Sequence, residues 1–186
     1  MVGEMRDRET TQMGIEASLT GHLVFSTLHT NSAPESVTRL LDMGMDPFNF
    51  ADALLAILAQ RLVRTLCKNC KQSYTPNKSE YDELVREYGL ALFEKNINIP
   101  FTSDLVLYRP EGCEVCNNTG YRGRMGIHEL LIGTEKIKEM IQSRTPMSVL
   151  RDQAVNEGMT TLKQDGIEKV FKGFTDLKEV RKVCIK

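Results

Sequence analysis

Glu4 and Asp7 follow a short apolar start, and His22 and His29 flank the run 23–28. Acids at the end of one strand and histidines at both ends of the next could converge on a bound phosphate and its metal ion. The phosphate cradle itself is not found here: no G-x-x-x-x-G-K-[ST] occurs in the 186 residues. The pattern reads as the second half of a nucleotide-hydrolysis site without the first. A separate constellation lies further on, in Cys67-Lys-Asn-Cys70 and Cys113-Glu-Val-Cys116. Each CxxC turn points two thiolates at one ion. Two such knuckles complete a tetrahedral four-sulfur shell, the usual closed structural zinc site.

Each residue also has a plainer reading. On residue type alone, Glu4 is favoured as an exposed loop acid paired with Arg6, and Asp7 as a helix cap before anything catalytic. His22 and His29 lie roughly 20 Å apart along an extended strand, so both cannot touch one phosphate unless the chain bends. His128 reads as structural. Arg61, Arg64, Lys68 and Lys71 form a basic cluster leading into the first knuckle, either a solvated face or a contact for a nucleotide or acidic partner. The four cysteines could be free or redox thiols. Soft thiolate donors fit zinc or an iron–sulfur centre, and structural zinc is preferred because four thiolates leave no open position.

The elements that must position these groups follow from pattern. Asp7 caps a helix that ends at Gly21, and 23–28 is expected as a buried strand. Ser32-Ala-Pro-Glu35 is a capping box that opens a helix burying Val37, Leu40 and Leu41. After Asp46-Pro47 a longer helix is expected to bury Phe50, Leu54, Leu55, Leu58 and even Leu62. Periodicity leaves 61–66 open between helix and strand. Ser79 is expected to cap a short helix over 80–88. Strands are expected at 105–108 and 127–132. Beyond Thr134 the chain reads as helical, with Ile137, Met140 and Ile141, then Val149, Leu150 and Ala154, then Leu162, Ile167, Val170 and Phe171, then Leu177, Val180 and Val183 facing inward. Met13, Met140 and Met147 read as core packing.

Composition narrows the class. With 41% hydrophobic and 26% charged residues, the chain reads as an ordinary globular protein. A net charge of −1 gives no overall footprint for nucleic acid, and aromatics are scarce around the basic cluster. The most apolar stretch, 48–66, is broken by Asp52, Gln60, Arg61 and Arg64 and is too interrupted to span a bilayer. No secretory leader is visible at the start. Two CxxC knuckles without one favour a reducing compartment and a metal over disulfides.

These motifs resemble one family. Gly3-Glu-Met-Arg-Asp7 with Glu9-Thr10 looks like the Walker B segment of the secretion ATPases, and Thr20-Gly-His-Leu-Val-Phe-Ser-Thr-Leu-His-Thr-Asn31 is similar to their His box. Ala59-Gln-Arg-Leu62 resembles their segment close to the nucleotide. The four cysteines, with Gly120-Tyr-Arg-Gly-Arg-Met-Gly-Ile-His-Glu129, look like the tetracysteine region of the type II secretion and type IV pilus assembly ATPases. Pilus retraction motors resemble the chain only up to about Leu62.

The resemblance implies an α/β fold. Residues 1–66 would be the C-terminal half of a RecA-like P-loop NTPase core, 67–126 a tetracysteine zinc subdomain and 127–186 a mainly helical C-terminal region. It implies a hexameric cytoplasmic ATP hydrolase, peripheral to the bacterial inner membrane through platform proteins of a secretion or pilus machine, with no nucleic-acid partner. Glu4 would act on magnesium and water. His22 and His29 would sense the γ-phosphate or couple it to domain motion, and Gln60 and Arg61 would line the nucleotide pocket. Cys67, Cys70, Cys113 and Cys116 would hold zinc, and Mg-ATP would be bound by the full-length parent. The departure is the P-loop half, which these residues do not contain, so the isolated chain is expected not to hydrolyse ATP. The rival expectation is a stand-alone, zinc-stabilised interaction module without enzymatic activity.

Overall fold

The computed structural model describes residues 1–184, in which helices and strands are mixed. The last two residues of the expected helical region lie outside the described residues. The chain forms two compact units, one of Met1–Ala59 with Glu129–Thr160, the other of Gln60–His128 with Thr161–Lys186. No helix among the described residues is long and apolar enough to cross a membrane.

In the first unit, α1 (Arg8–Leu19) starts at Asp7, whose side chain accepts the Thr10 N–H at 2.8 Å. The helix α2 (Ala33–Asp42) starts at Ser32, with Pro34 in its first turn, and buries Val37 and Leu40. The next helix, α3 (Pro47–Ala53), is shorter than expected. Leu54 takes extended backbone angles, and β1 (Ala56–Leu66) follows at once. Exposure then alternates along β1, leaving Leu58 and Leu62 on the open face instead of in a helix core. The reason is pairing: β1 hydrogen-bonds to β4 (Tyr121–Ile132), and the Gly133 N–H donates to the Leu55 carbonyl at 2.8 Å. Helices α6 (Glu135–Gln142) and α7 (Met147–Asn156) complete this unit. Its core joins Ile15, Val37, Leu40, Phe50, Leu131, Ile137, Ile141 and Leu150. Val149 and Met13, expected inside, are half or more exposed.

The run 23–28 is extended but forms no regular strand. It exchanges backbone bonds with the first residues only: Val2 N–H to the Phe25 carbonyl at 2.9 Å and Met5 N–H to that of Thr27 at 3.0 Å. A ladder this sparse does not cover the segment, and Leu23 and Phe25 are exposed.

In the second unit, β2 (Gln72–Tyr74) pairs antiparallel with β3 (Leu107–Arg109). Helix α4 (Lys78–Tyr88) is capped by Asn77, not Ser79: the Asn77 side chain accepts the Glu80 N–H, and Glu80 accepts the Asn77 N–H, both at 2.9 Å. The helices α5 (Leu90–Asn96), α8 (Leu162–Phe171) and α9 (Leu177–Val183) pack with it around Leu84, Tyr88, Phe93, Ile167, Val170 and Val180. Gly166 permits the α8–α9 contact, since a Cβ there would fall 2.6 Å from Val180 Cγ1.

Candidate functional site

The four cysteines converge. Their sulfurs all lie within 4.8 Å of one another. Cys67 and Cys113 are 3.9 Å apart, Cys70 and Cys116 3.8 Å, and Cys113 and Cys116 3.7 Å. A tetrahedron of sulfurs about 2.3 Å from a central ion has edges of about 3.8 Å, so this donor set fits a four-coordinate metal. Residues 71–112 carry β2, α4, α5 and β3, and the β2–β3 pair returns the second knuckle to the first.

Backbone geometry shapes both turns. In the first, the N–H groups of Cys70 and Lys71 donate to the Cys67 carbonyl. In the second, a single 3-10 turn over Glu114–Cys116 is closed by Asn117 and Asn118, both at positive φ. Gly120 has φ +76, and a Cβ there would lie 2.5 Å from Pro110, so only glycine fits. Its N–H donates to the Cys116 sulfur at 3.2 Å, as does that of Cys113. Burial alone would push the Cys116 thiol up. These two N–H groups and the thiols of Cys113 and Cys70 outweigh it, and the thiol is lowered to about 6. Cys70 is pushed up to about 12, first by burial and further by its sulfur neighbours, against an N–H from Gly112. Thiols so arranged would bind a metal as thiolates, with their protons lost to solvent.

The other candidate residues lie partly together. Glu4 is mostly shielded, while the His29 ring is 85% exposed, and His29 Nε2 sits 2.9 Å from Glu4 Oε1. Arg6 Nε donates to the other Glu4 oxygen, so the simple ion pair expected for Glu4 is also present. The Thr27 hydroxyl donates to the Gly3 carbonyl at 2.7 Å and keeps the two segments side by side. His22 is not drawn to this pair. Its ring is engaged at the end of α1, 3.2 Å from the Ala17 carbonyl and 3.3 Å from the Thr20 hydroxyl. Asp7 serves as a cap, and the N–H and hydroxyl of Thr10 hold its carboxyl below the usual range. Gln60 and Arg61 lie on β1, in the second unit. Gln60 is exposed, and Gly126 leaves room for its amide and for the His128 ring: a Cβ there would be 2.9 and 2.7 Å from them.

Two members of the basic cluster, Arg64 and Lys71, are held by contacts within the fold. Arg64 donates two bonds of 2.7 Å to Glu179 and lies 4.2 Å above the Tyr121 ring. Lys71 donates to the Gly173 carbonyl at 2.8 Å and sits 4.0 Å above Tyr108. One buried acid escaped notice in the sequence. Glu129 occupies the inward row of β4, between Ile127 and Leu131, and is 5% exposed. A charged residue type in an inward register was the available signal.

The four-cysteine set that could hold a metal ion, the Glu4–His29 pair and the α/β order of elements point to one class, the bacterial secretion-system proteins. The profile of the family described as Type II/IV secretion system protein matches residues 1–182, and the chain belongs to that family. It is 46% identical over 183 residues to the Type II secretion system ATPase E of Vibrio cholerae, covering 98% of this chain and 34% of that protein. It is 43% identical over 183 residues to the Type IV pilus assembly ATPase TfpB of Acinetobacter baylyi, covering 98% of this chain and 29% of that one. The chain thus spans about a third of the length of these relatives. Among solved structures, the pilus retraction motor PilT with bound ADP aligns with TM-score 0.60 at 21% identity, covering 97% of this chain and 38% of that chain. The Legionella pneumophila ATPase DotB aligns with TM-score 0.60 at 17% identity, covering 97% and 37%. The likeness in fold to a retraction motor therefore extends well past Leu62, where likeness in sequence was expected to stop.

Proposed function

We propose that this chain is the C-terminal part of a hexameric ATPase that powers type II secretion or type IV pilus assembly. On this reading, residues 1–66 end a RecA-like core, 67–126 form the zinc-binding region and 127–186 the helical tail. The parent would work in the cytoplasm, held at the inner membrane by platform proteins of the machine. The observation that carries the reading is the 2.9 Å contact between Glu4 and His29, on segments that resemble the family's Walker B and His box. Mg-ATP supplies the phosphoryl group to be transferred and the cation that neutralises it. The Glu4 carboxyl, already aligned by His29 and Arg6, orients a water toward that group. Exposed His29 offers a ring nitrogen to a phosphoryl oxygen and reports its presence to the start of α2. His22 is assigned to the same sensing step, and Gln60 and Arg61 to the nucleotide. Zinc in the four-cysteine site supplies a closed cross-link and no catalysis.

No P-loop motif occurs in these residues, so the isolated chain lacks the backbone amides and lysine that hold a triphosphate. Purified alone, it is expected to show no ATP turnover. Placed in the Vibrio cholerae ATPase E in exchange for the homologous third, it is expected to support hydrolysis that Glu4→Gln abolishes. A chimera that hydrolyses ATP equally well with Glu4→Gln would overturn the assignment of Glu4. A folded, metal-loaded chimera with no hydrolysis would favour the interaction-module reading.

A further inference from the structure

We propose that Glu129 is a positioning residue for His29: its buried carboxyl anchors the first turn of α2 and so sets the contact between His29 and Glu4. A carboxyl group this buried is costly unless it is well partnered. Here it accepts the Ala33 N–H at 2.8 Å, at the first residue of the ten-residue helix α2. That end of a helix presents unpaired N–H groups and positive charge.

Four residues before Ala33 stands His29, and the intervening segment is tied down throughout. The Asn31 N–H donates to Glu35 at 3.0 Å. The hydroxyls of Thr30 and Ser36 share a 2.6 Å bond, and Ser36 is buried. Ser32 accepts the Glu35 N–H at 3.3 Å. These bonds make the segment rigid with respect to α2 but do not place α2. Glu129, on β4, joins that turn to an element 96 residues away in sequence. Thr27 ties the residues before His29 to Gly3 and Met5. A shift of α2 would therefore strain the chain between the two anchors and pull the 85% exposed His29 ring away from Glu4.

The geometric claim stands on its own. Its catalytic meaning rests on the reading of Glu4 and His29 given above. The test uses the whole chain, nitrogen-labelled, with the imidazole resonances of His29 recorded at one fixed neutral pH. In the wild-type background, Glu4→Gln is expected to move the His29 Nε2 resonance. In Glu129→Ala and in Glu129→Asp, whose shorter side chain withdraws the acceptor, the same substitution is expected to move it about threefold less or not at all. Glu129→Gln keeps an acceptor oxygen at the same reach and is expected to restore the response. A Glu129 that merely stabilises the fold would lower the melting temperature and leave the response intact, and that result overturns the proposal. If Glu129→Ala fails to fold, the Asp and Gln variants decide it. No response to Glu4→Gln in the wild type would also overturn it. A normal response, with chimera hydrolysis that survives Glu4→Gln, would remove the catalytic reading and leave the positioning role standing.

Discussion

The Glu179 side chain is 5% exposed, and its carboxyl is met by two nitrogens of Arg64 and by Lys182. The Arg64 hydrogen bonds, which outweigh the cost of burial, hold it at about 2, against an ordinary value of 4.5. Unfolded, the group takes up its proton near 4.5; folded, it resists until about 2. Its contribution to stability is therefore complete above pH 4.5 and is lost as the pH falls from there to about 2. Glu87, held below its usual range by Arg181, acts in the same direction. The urea midpoint of the wild type is expected to fall across this window more steeply than that of Glu179→Gln. At neutral pH, Arg64→Ala is expected to cost about 1–3 kcal/mol, because it strips a buried acceptor of its main donor while Lys182 remains.

At the scale of elements, α8 and α9 touch backbone to side chain at Gly166. Alanine there has the better helix propensity by about 1 kcal/mol. Its Cβ would nevertheless meet both Val180 methyls, at 2.6 and 2.9 Å. Overpacking of this kind costs about 1–3 kcal/mol, so Gly166→Ala is expected to lower the urea midpoint. Adding Val180→Ala should then cost less than it does alone, since it removes the clash. The α3–β1 boundary shows a different conflict. Phe50, Leu54, Leu58 and Leu62 recur every four residues, as in a helix. Pairing with β4 imposes a period of two from Ala56 onward. Gly133 allows that approach, because a Cβ there would lie 2.5 Å from the Leu54 carbonyl.

For the molecule as a whole, the four-cysteine cluster closes the long excursion of residues 71–112. Metal binding by such a site is folding free energy. The purified chain is expected to carry one zinc per molecule by atomic emission. Removing it with a chelator, or making Cys113→Ser, should lower the melting transition of the second unit. The first unit has its own core around Phe50, Leu131, Ile137 and Leu150, and its helical signal should persist. An unchanged melting curve with no metal in either protein would refute structural zinc.

Much of this was legible in the residues themselves. Two CxxC knuckles state their chemistry through donor type and spacing, and the caps at Asp7 and Ser32 act over three residues. The segments around Glu4 and His29 carried the resemblance to the family, whose profile matches residues 1–182. Tertiary structure alone decided the rest. Which of two histidines meets Glu4 depends on a neighbouring segment that bonds to Gly3 and Met5, not on spacing. Whether 56–66 winds or extends depends on a partner strand more than fifty residues away. Glu129 escaped the sequence reading, and its partner at Ala33, 96 residues away, could not be read there at all. Local sequence encodes capping, turns and ligand type through short-range sterics and hydrogen bonding. Long-range pairing is set by which surfaces can exclude water together, and only the folded chain shows that.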